Sequence, residues 1–497
     1  MPVHLQIKWE VRFVKGFVKR FKDHPALAAW CLGNECNCMA RVNNDEEAWV
    51  WTDIIADAIR SQDSEHKVIC GMHSQFTPKE KNWCLQSAGE NCDYITTHPY
   101  ASPEYQTERE LINTIKPLVH PAAQTVYSSC IAKVPCIIEE TGTYGQMYAD
   151  EEKTAQYANG VIYTAWAHDC LSYLWWIGFD QGSLTYHPFG YNNRASNYGI
   201  YREDKTLKPV GEVIKEFNEF SENFEYGKLP KRIVDAICIV TKGQKTWNAA
   251  GSSFILGKQV GIDMEFAYAN DKLPEANTYL IPSVEGANCF SAEYIADLMK
   301  RVENGATLYL SVGNGFTRNL WKDFGFHIIN REYVENTDTV KIGCKKLNVK
   351  AAVTYNTEKT TATALAQNQD GKDVFFKAPY GKGTVFFLAY PLETYLYEKM
   401  HVFENEDYHL FYNEIKKCMK TEKTVSCNNK MIGVTEHKVN ENERIIVATN
   451  YSKDTSTASM DLNGWKFKKA LKGDIAVENT VNLTLNTTET AVFVIKK

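Results

Sequence analysis

The sequence predicts an α/β protein in three parts. A parallel, barrel-type β/α segment occupies 1–224, a flavodoxin-like layered domain 230–400, and a small β-sandwich 424–497. Three observations carry this. Five short apolar runs alternate with helical periodicity in the first part. A second α/β alternation starts after a charged linker. The last part consists of short alternating runs separated by turn signals.

The first helix is expected over 6–22, where Val11, Val14, Phe17, Val18 and Phe21 recur at helical spacing between Lys and Arg. Asp23-His24-Pro25 interrupts it, because the residue before proline is pushed out of the helical region. Ala26–Leu32 is then apolar without alternation, as in a strand buried on both faces, and it ends in Gly33-Asn34-Glu35. A helix over 45–62 precedes the apolar run that ends at His73. The run Cys92–Thr97 ends in His98-Pro99-Tyr100. A helical stretch over 107–131 leads to Val134–Ile138 and then Glu139-Glu140-Thr141-Gly142. Another, over 151–168, leads to Leu171–Ile177, which contains Trp175-Trp176. Strands separated by one helix each, at roughly 25–45 residues, are parallel crossover units. All five end in polar or aromatic residues. In a (β/α)₈ barrel, chemistry gathers at the C-terminal ends of every strand, whereas an open doubly wound sheet gathers it at one switch point, so the barrel is favoured.

Lys208-Pro209 starts a helix expected over 209–222, with proline in its first turn. The charged stretch Glu225–Arg232 marks a boundary. Apolar runs at Ile233–Val240, Thr278–Pro282, Ala306–Ser311 and Lys382–Ala389, with a helix over 291–303, describe the second domain. After a helix over 408–420, turn signals at Asn428-Asn429, Asn440-Glu441-Asn442 and Asn463-Gly464 describe the sandwich.

The composition excludes several classes. At 44% hydrophobic and 23% charged, the 497-residue chain is globular rather than disordered. A net charge of −6 leaves no nucleic-acid footprint. No apolar run reaches membrane-spanning length, and Met1–Glu10 lacks the apolar core of a signal peptide. Several of the 14 cysteines sit inside apolar strands (Cys31, Cys70, Cys136, Cys238) and read as buried free thiols, which fits a cytoplasmic location. Cys31, Cys36 and Cys38 lack a fourth ligand at zinc-site spacing, so neither a metal nor a cofactor is expected.

Two carboxylates stand out, Glu35 and Glu140, at the ends of the first and fourth strands. Strands three apart in a barrel face one another across its mouth. Two carboxyl groups about 5 Å apart suit a double displacement at a sugar, one protonated and one ionised. Glu35 alone reads equally well as the first exposed residue of a loop. Strand alternation turns Glu139 to the face opposite Glu140, where a salt bridge behind the barrel is its expected role. One of Trp175 and Trp176 is expected in the core and the other, Trp176, in the cleft. His73 is as consistent with a structural role as with a binding one.

At this point a resemblance becomes specific. His24-Pro25 through Gly33-Asn34-Glu35 resembles the acid/base strand of glycoside hydrolase clan A, families 5 and 2 in particular. Pro135–Gly142 resembles that clan's nucleophile strand. The resemblance implies Glu35 as acid/base and Glu140 as nucleophile. It implies Asn34 on the substrate's 2-hydroxyl, His98 and Tyr100 on substrate and nucleophile, and Trp176 as a sugar platform followed by Asp180-Gln181. The later domains are similar to the family 42 β-galactosidase architecture, with its amidotransferase-like trimerisation domain and C-terminal β domain. The implied partners are an oligo- or polysaccharide substrate and, through the middle domain, further copies of the chain as a homo-oligomer. If Glu35 ends strand four of the clan's barrel, the first three strands have no counterpart ahead of 6–22. The expectation is then an N-terminally truncated barrel whose activity is open.

Two alternatives stand beside a retaining β-glycosidase acting on a β-mannoside, β-galactoside or β-glucoside. One is an inactive fragment serving only as a folded association module. The other is an amidotransferase in the middle domain, disfavoured because Cys238 lies mid-strand and Cys289 lacks the flanking glycines of a nucleophile elbow.

Overall fold

A computed structural model describes residues 3–101, 106–143, 145, 147–187, 189–191, 196–317, 320, 324–334 and 337–497. The chain divides into two compact units. The first comprises Met1–Tyr100, Pro121–Gly142 and Cys170–Gly178; the second comprises Ala101–His120, Thr143–Asp169 and Phe179–Lys497.

All five expected strands are present in the first unit, and each is short: Ala29–Cys31, Lys67–Ile69, Ile95–Thr97, Cys136–Thr141 and Tyr173–Trp175. The first pairs with the second in parallel, and a parallel bridge from Ile69 to Tyr94 carries the arc to the third. The third, fourth and fifth continue in parallel. Helices Asp45–Arg60, Leu85–Asn91, Ile115–Ala132 and Glu151–Ala167 separate them along the chain. The Asp45–Arg60 helix starts where Asn44 accepts the backbone N–H of Glu47 at 2.8 Å, with three acidic residues in its first turn. The helix expected from 107 starts only at Ile115, because turns occupy the residues before it.

The first helix, Val3–Phe21, packs through buried Val18, while its aromatic stripe of Trp9, Phe13, Phe17 and Phe21 is exposed. Beneath it lies buried Asp63. Its carboxylate accepts Trp30 Nε1 at 2.8 Å and the backbone N–H groups of Glu65 and His66 at 3.0 and 3.2 Å, and it meets His66 Nδ1 at 2.8 Å. Burial alone would raise this carboxyl, but these donors hold it well below the usual carboxylate range.

In the second unit, five parallel strands run in the order Met264–Tyr268, Ala236–Val240, Thr278–Val284, Thr307–Val312 and Gly383–Leu388. This is the expected layered α/β core. The sheet does not stop there. Asp373–Tyr380, Thr363–Asn368, Thr337–Ile342 and Lys345–Lys350 extend it antiparallel to nine strands. Periodicity assigned no element to these four. They carry Lys, Asp and Asn on their open faces, and Lys345–Lys350 buries only Leu347 and Val349.

Buried Glu393 is a hub of this unit. It accepts hydrogen bonds from Ser283 at 2.8 Å, Ser311 at 2.6 Å, and Tyr309 and Tyr412 at 2.8 and 3.2 Å. Cys238 is buried in mid-strand. The left-handed turn at the end of the central strand carries Ser283, so no cysteine occupies it. The unit closes with two four-stranded sheets. Ile446, Ala448, Phe493 and Ile495 from one form a common core with Met460, Val481, Leu483 and Leu485 from the other. No helix among the described residues is long and apolar enough to cross a membrane.

The Asp63 arrangement makes a prediction. Its carboxyl is depressed in the folded state, so its stabilising contribution is complete above the ordinary pKa of about 3.9 and fades as the pH falls below that. Asp63→Ala strands the buried indole N–H of Trp30, and should lower the stability measured by urea unfolding at pH 7 by about 2–4 kcal/mol, with a smaller difference at pH 3.

Candidate active site

The polar ends of the short strands converge within the first unit. After Ala29–Cys31 the chain turns through Gly33 and Asn34 into Glu35, which has left-handed backbone (φ 52°, ψ 42°) and opens the short helix Cys36–Met39. A non-glycine residue there is strained by about 1–2 kcal/mol. The turn is held to the next strand's exit by a bond from Cys36 N to Gly71 O at 3.2 Å. Gly71 (φ 63°) must be glycine, since a Cβ there would lie 1.8 Å from Gly33 O. Asn37, buried, clamps the backbone of His73: its Oδ1 accepts His73 N at 2.7 Å and its Nδ2 donates to His73 O at 3.0 Å.

His98 leaves the Ile95–Thr97 strand fully buried, with its backbone N–H on Ser74 Oγ at 2.9 Å. Its Nδ1 lies 3.0 Å from Glu35 Oε1 and 3.7 Å from Glu140 Oε2, and its Nε2 lies 3.4 Å from Glu139 Oε2. Tyr100 donates its hydroxyl to Glu140 Oε1 at 2.5 Å. His73 stands edge-on to His98, with its Nε2 3.9 Å from Glu35 Oε1. Cys31 Sγ lies 3.3 Å from Glu139 Oε1.

One imidazole therefore serves three carboxyl groups. Burial alone would lower its pKa, but the bonds to Glu139 and Glu35 and the charge of Glu140 raise it to about 9. At neutral pH His98 is an imidazolium and donates from both nitrogens. Its hydrogen bond in turn lowers the Glu35 pKa against burial, and the charges of His73 and His98 add to this. Cys31, read as a buried thiol from its apolar run, is instead exposed because the strand buries only Trp30; loss of water around its sulfur and neighbouring Glu139 still push the thiol up, so it stays an S–H beside that carboxylate.

The structure thus brings Glu35, Glu140, His98 and Tyr100 together. Oxygens of Glu35 and Glu140 and a nitrogen of His98 lie within 4.8 Å of one another. Such a trio has metal-like spacing, but an imidazole protonated on both nitrogens has no lone pair to offer a cation. Asn34 is exposed beside Glu35 and makes no hydrogen bond to a described residue. Trp176 follows the fifth strand, 37% exposed, with its N–H on Thr141 O at 2.7 Å, while Trp175 is half-buried. Asp180 belongs to the second unit, where it takes Lys208 Nζ at 2.6 Å. Cys31, Cys36 and Cys38 form no ligand group among the described residues.

Glu139 departs from its expected place behind the barrel. The pairing of the fourth and fifth strands is irregular between Ile138 and Thr141, so simple alternation fails there, and His98 reaches both glutamates from the neighbouring strand. Sequence reasoning passed over Asn37, whose role is to fix a backbone. Asn37 stands two residues after Glu35 in the sequence, but nothing there points to its partner His73.

No family model matches the chain. Over 84 residues it is 31% identical to mannan endo-1,4-β-mannosidase A of Podospora anserina, a match spanning 17% of this chain and about a fifth (22%) of that protein. A probable mannan endo-1,4-β-mannosidase C of Aspergillus terreus matches 87 residues at 31%, covering 16% of this chain and 21% of the relative. Among solved structures, the β-galactosidase of Rahnella sp. R3 superposes with a TM-score of 0.73 at 13% identity, covering 100% of this chain and 82% of that one. The exo-β-1,4-mannosidase of Opitutaceae bacterium strain TAV5 gives 0.66 at 15%, covering 79% and 74%. The expected fold class holds: the α/β chain shares its fold with β-galactosidases of family 42.

The raised pKa of His98 has a measurable consequence. The stability that it contributes is fully present below about 6.5 and is lost as the pH rises through about 9. Stability should therefore fall between pH 7 and pH 10 in the wild type and change less in His98→Asn. In Glu139→Gln the His98 titration, followed by NMR, should move down by about one unit or more.

Proposed function

We propose that the chain is a retaining β-glycosidase, with Glu140 as nucleophile and Glu35 as acid/base. The observation that carries this reading is the separation of the two carboxyl groups. Their nearest oxygens lie within 4.8 Å. Carboxyl groups about 5–5.5 Å apart suit direct attack on the sugar, whereas about 6.5–9.5 Å leaves room for the water of an inverting enzyme.

In the first step a Glu140 oxygen bonds to the anomeric carbon as the glycosidic C–O bond breaks, and the leaving oxygen takes a proton from Glu35. In the second, Glu35 removes a proton from water, which displaces Glu140 and restores it. Tyr100 holds one oxygen of Glu140 and so orients the other. In the free site Glu35 is held ionised and the proton lies on His98, 3.0 Å away. Glu35 becomes the neutral acid of the first step by receiving that proton, which leaves His98 a neutral imidazole, as the sugar displaces the hydrogen bond. Exposed Trp176 offers a face for stacking on sugar C–H groups.

The names of the relatives support a β-mannoside first, then a β-galactoside, with a β-glucoside as third choice. All 14 cysteines are free, which supports a reducing, cytoplasmic setting. The nine-stranded unit is the candidate for association into a homo-oligomer. The open arc of five parallel strands favours a second reading, a chain that folds and associates without turnover.

Aryl β-mannoside, β-galactoside and β-glucoside assays separate the two. One of them should be hydrolysed, and Glu140→Ala should lower kcat/KM by ~10³-fold or more. Added azide should rescue Glu140→Ala as the α-glycosyl azide and Glu35→Ala as the β-glycosyl azide. Absence of turnover by the folded wild-type chain on all three substrates sinks the first reading and leaves the second.

A further inference from the structure

Outside the candidate active site, one group of side chains is arranged as if around something. Glu110, His401 and Glu404 come from stretches nearly 300 residues apart in the sequence, all within the second unit. Each offers one ligand atom, and the three atoms lie within 4.8 Å of one another. Glu110 is 5% exposed. His401, in the left-handed conformation, and Glu404 belong to the short helix Val402–Asn405 and its N-cap.

The carboxylates are incompletely satisfied. Oε1 of Glu110 accepts the backbone N–H of His401 at 3.2 Å and lies 3.6 Å from Lys116 Nζ. Oε2 of Glu110 and both oxygens of Glu404 are shut off from water and have no hydrogen-bond partner among the described residues. A buried polar atom without a partner costs free energy comparable to a lost hydrogen bond, and more if it is charged. Lys116 does not repair this. Its ammonium donates to Tyr397 O at 2.7 Å and lies over the Tyr397 ring. Burial, with Glu404 nearby and only partial relief from Lys116, raises Glu110 to about 7. A proton shared between the two carboxyls would satisfy one pair of oxygens but would not engage the His401 ring that lies with them. A divalent cation would take an oxygen from each carboxylate and the imidazole nitrogen together.

We propose that Glu110, His401 and Glu404 bind a divalent transition-metal ion of the zinc or manganese class, which ties the 106–114 segment to the helix Val402–Asn405. Two carboxylate oxygens and one imidazole nitrogen are a donor set for such ions, and are poorer for calcium, which prefers oxygen alone. Metal–ligand distances of about 2.0–2.2 Å require the donors to draw inward by on the order of an ångström, within reach of side-chain torsions. Positions left open by three protein ligands would be filled by water. The ion has no part in sugar chemistry and acts as a crosslink.

The full chain, stripped with EDTA and dialysed, is titrated with ZnCl₂ and with MnCl₂ by calorimetry and thermal melting at pH 7.5. One of them should bind at one equivalent and raise the Tm by several degrees. Glu404→Gln, checked by circular dichroism, should weaken binding at least tenfold, as should His401→Ala, whose ring is half-buried. Glu35→Gln should leave binding unchanged, which excludes the Glu35–His98–Glu140 group as the source of the signal. The proposal is overturned if neither metal produces heat or a Tm shift up to 1 mM. It is equally overturned if binding survives in both Glu404→Gln and His401→Ala, or is lost only in Glu35→Gln.

Discussion

The candidate site depends on a single buried imidazolium. His98 lies between Glu35, Glu140 and Glu139, and without its charge three carboxyl groups would crowd one another at the ends of the first and fourth strands. Like charges at such distances drive protons back onto carboxylates, and the nucleophile role proposed for Glu140 requires an ionised one. The ring also has to be aimed. Ser74 holds its backbone, and Asn37 fixes the backbone of His73 beside it. Three short strands would not position these groups on their own. The exit loops, bonded to one another, do as much of the positioning as the sheet.

Much of this was legible in the sequence, for a definite reason. An uninterrupted apolar run reads as a strand buried on both faces, and its end marks where polar side chains emerge; Ile95–Thr97 is buried throughout as that reading requires, whereas Ala29–Cys31 buries only Trp30 and so corrects it. Glu35, His98, Tyr100 and Glu140 all stand at such ends, and the structure gathers them. Glu139 was misplaced because alternation assumes regular pairing, and the irregularity after Ile138 lies in a neighbour's register, which one strand's sequence does not contain. The antiparallel half of the nine-stranded sheet escaped for a related reason. Thr337–Ile342 and Lys345–Lys350 bury only two side chains each, and their Lys, Asn and Asp content matches that of loops.

The second unit shows how differently the same residue type behaves in another setting. Glu393 is fully buried, and it is satisfied by four hydroxyl groups, one from the central strand's turn, two from the strand Thr307–Val312 and one from the helix His409–Lys416. It is a structural carboxyl, complete in itself. Glu110 is buried and Glu404 half-buried, and carboxylate oxygens of both are shut off from water with no partner among the described residues. The contrast lies in the number of donors aimed at each oxygen, and burial alone does not reveal it.

The left-handed backbone of Glu35 bears on how such a chain can change over time. A side chain that must reach the cleft from that turn forgoes the relief that glycine or asparagine would give there. The fold would therefore gain stability by discarding the group on which the proposed chemistry rests. In a lineage no longer selected for turnover, this position would be among the first to drift, and it would drift toward a sturdier protein.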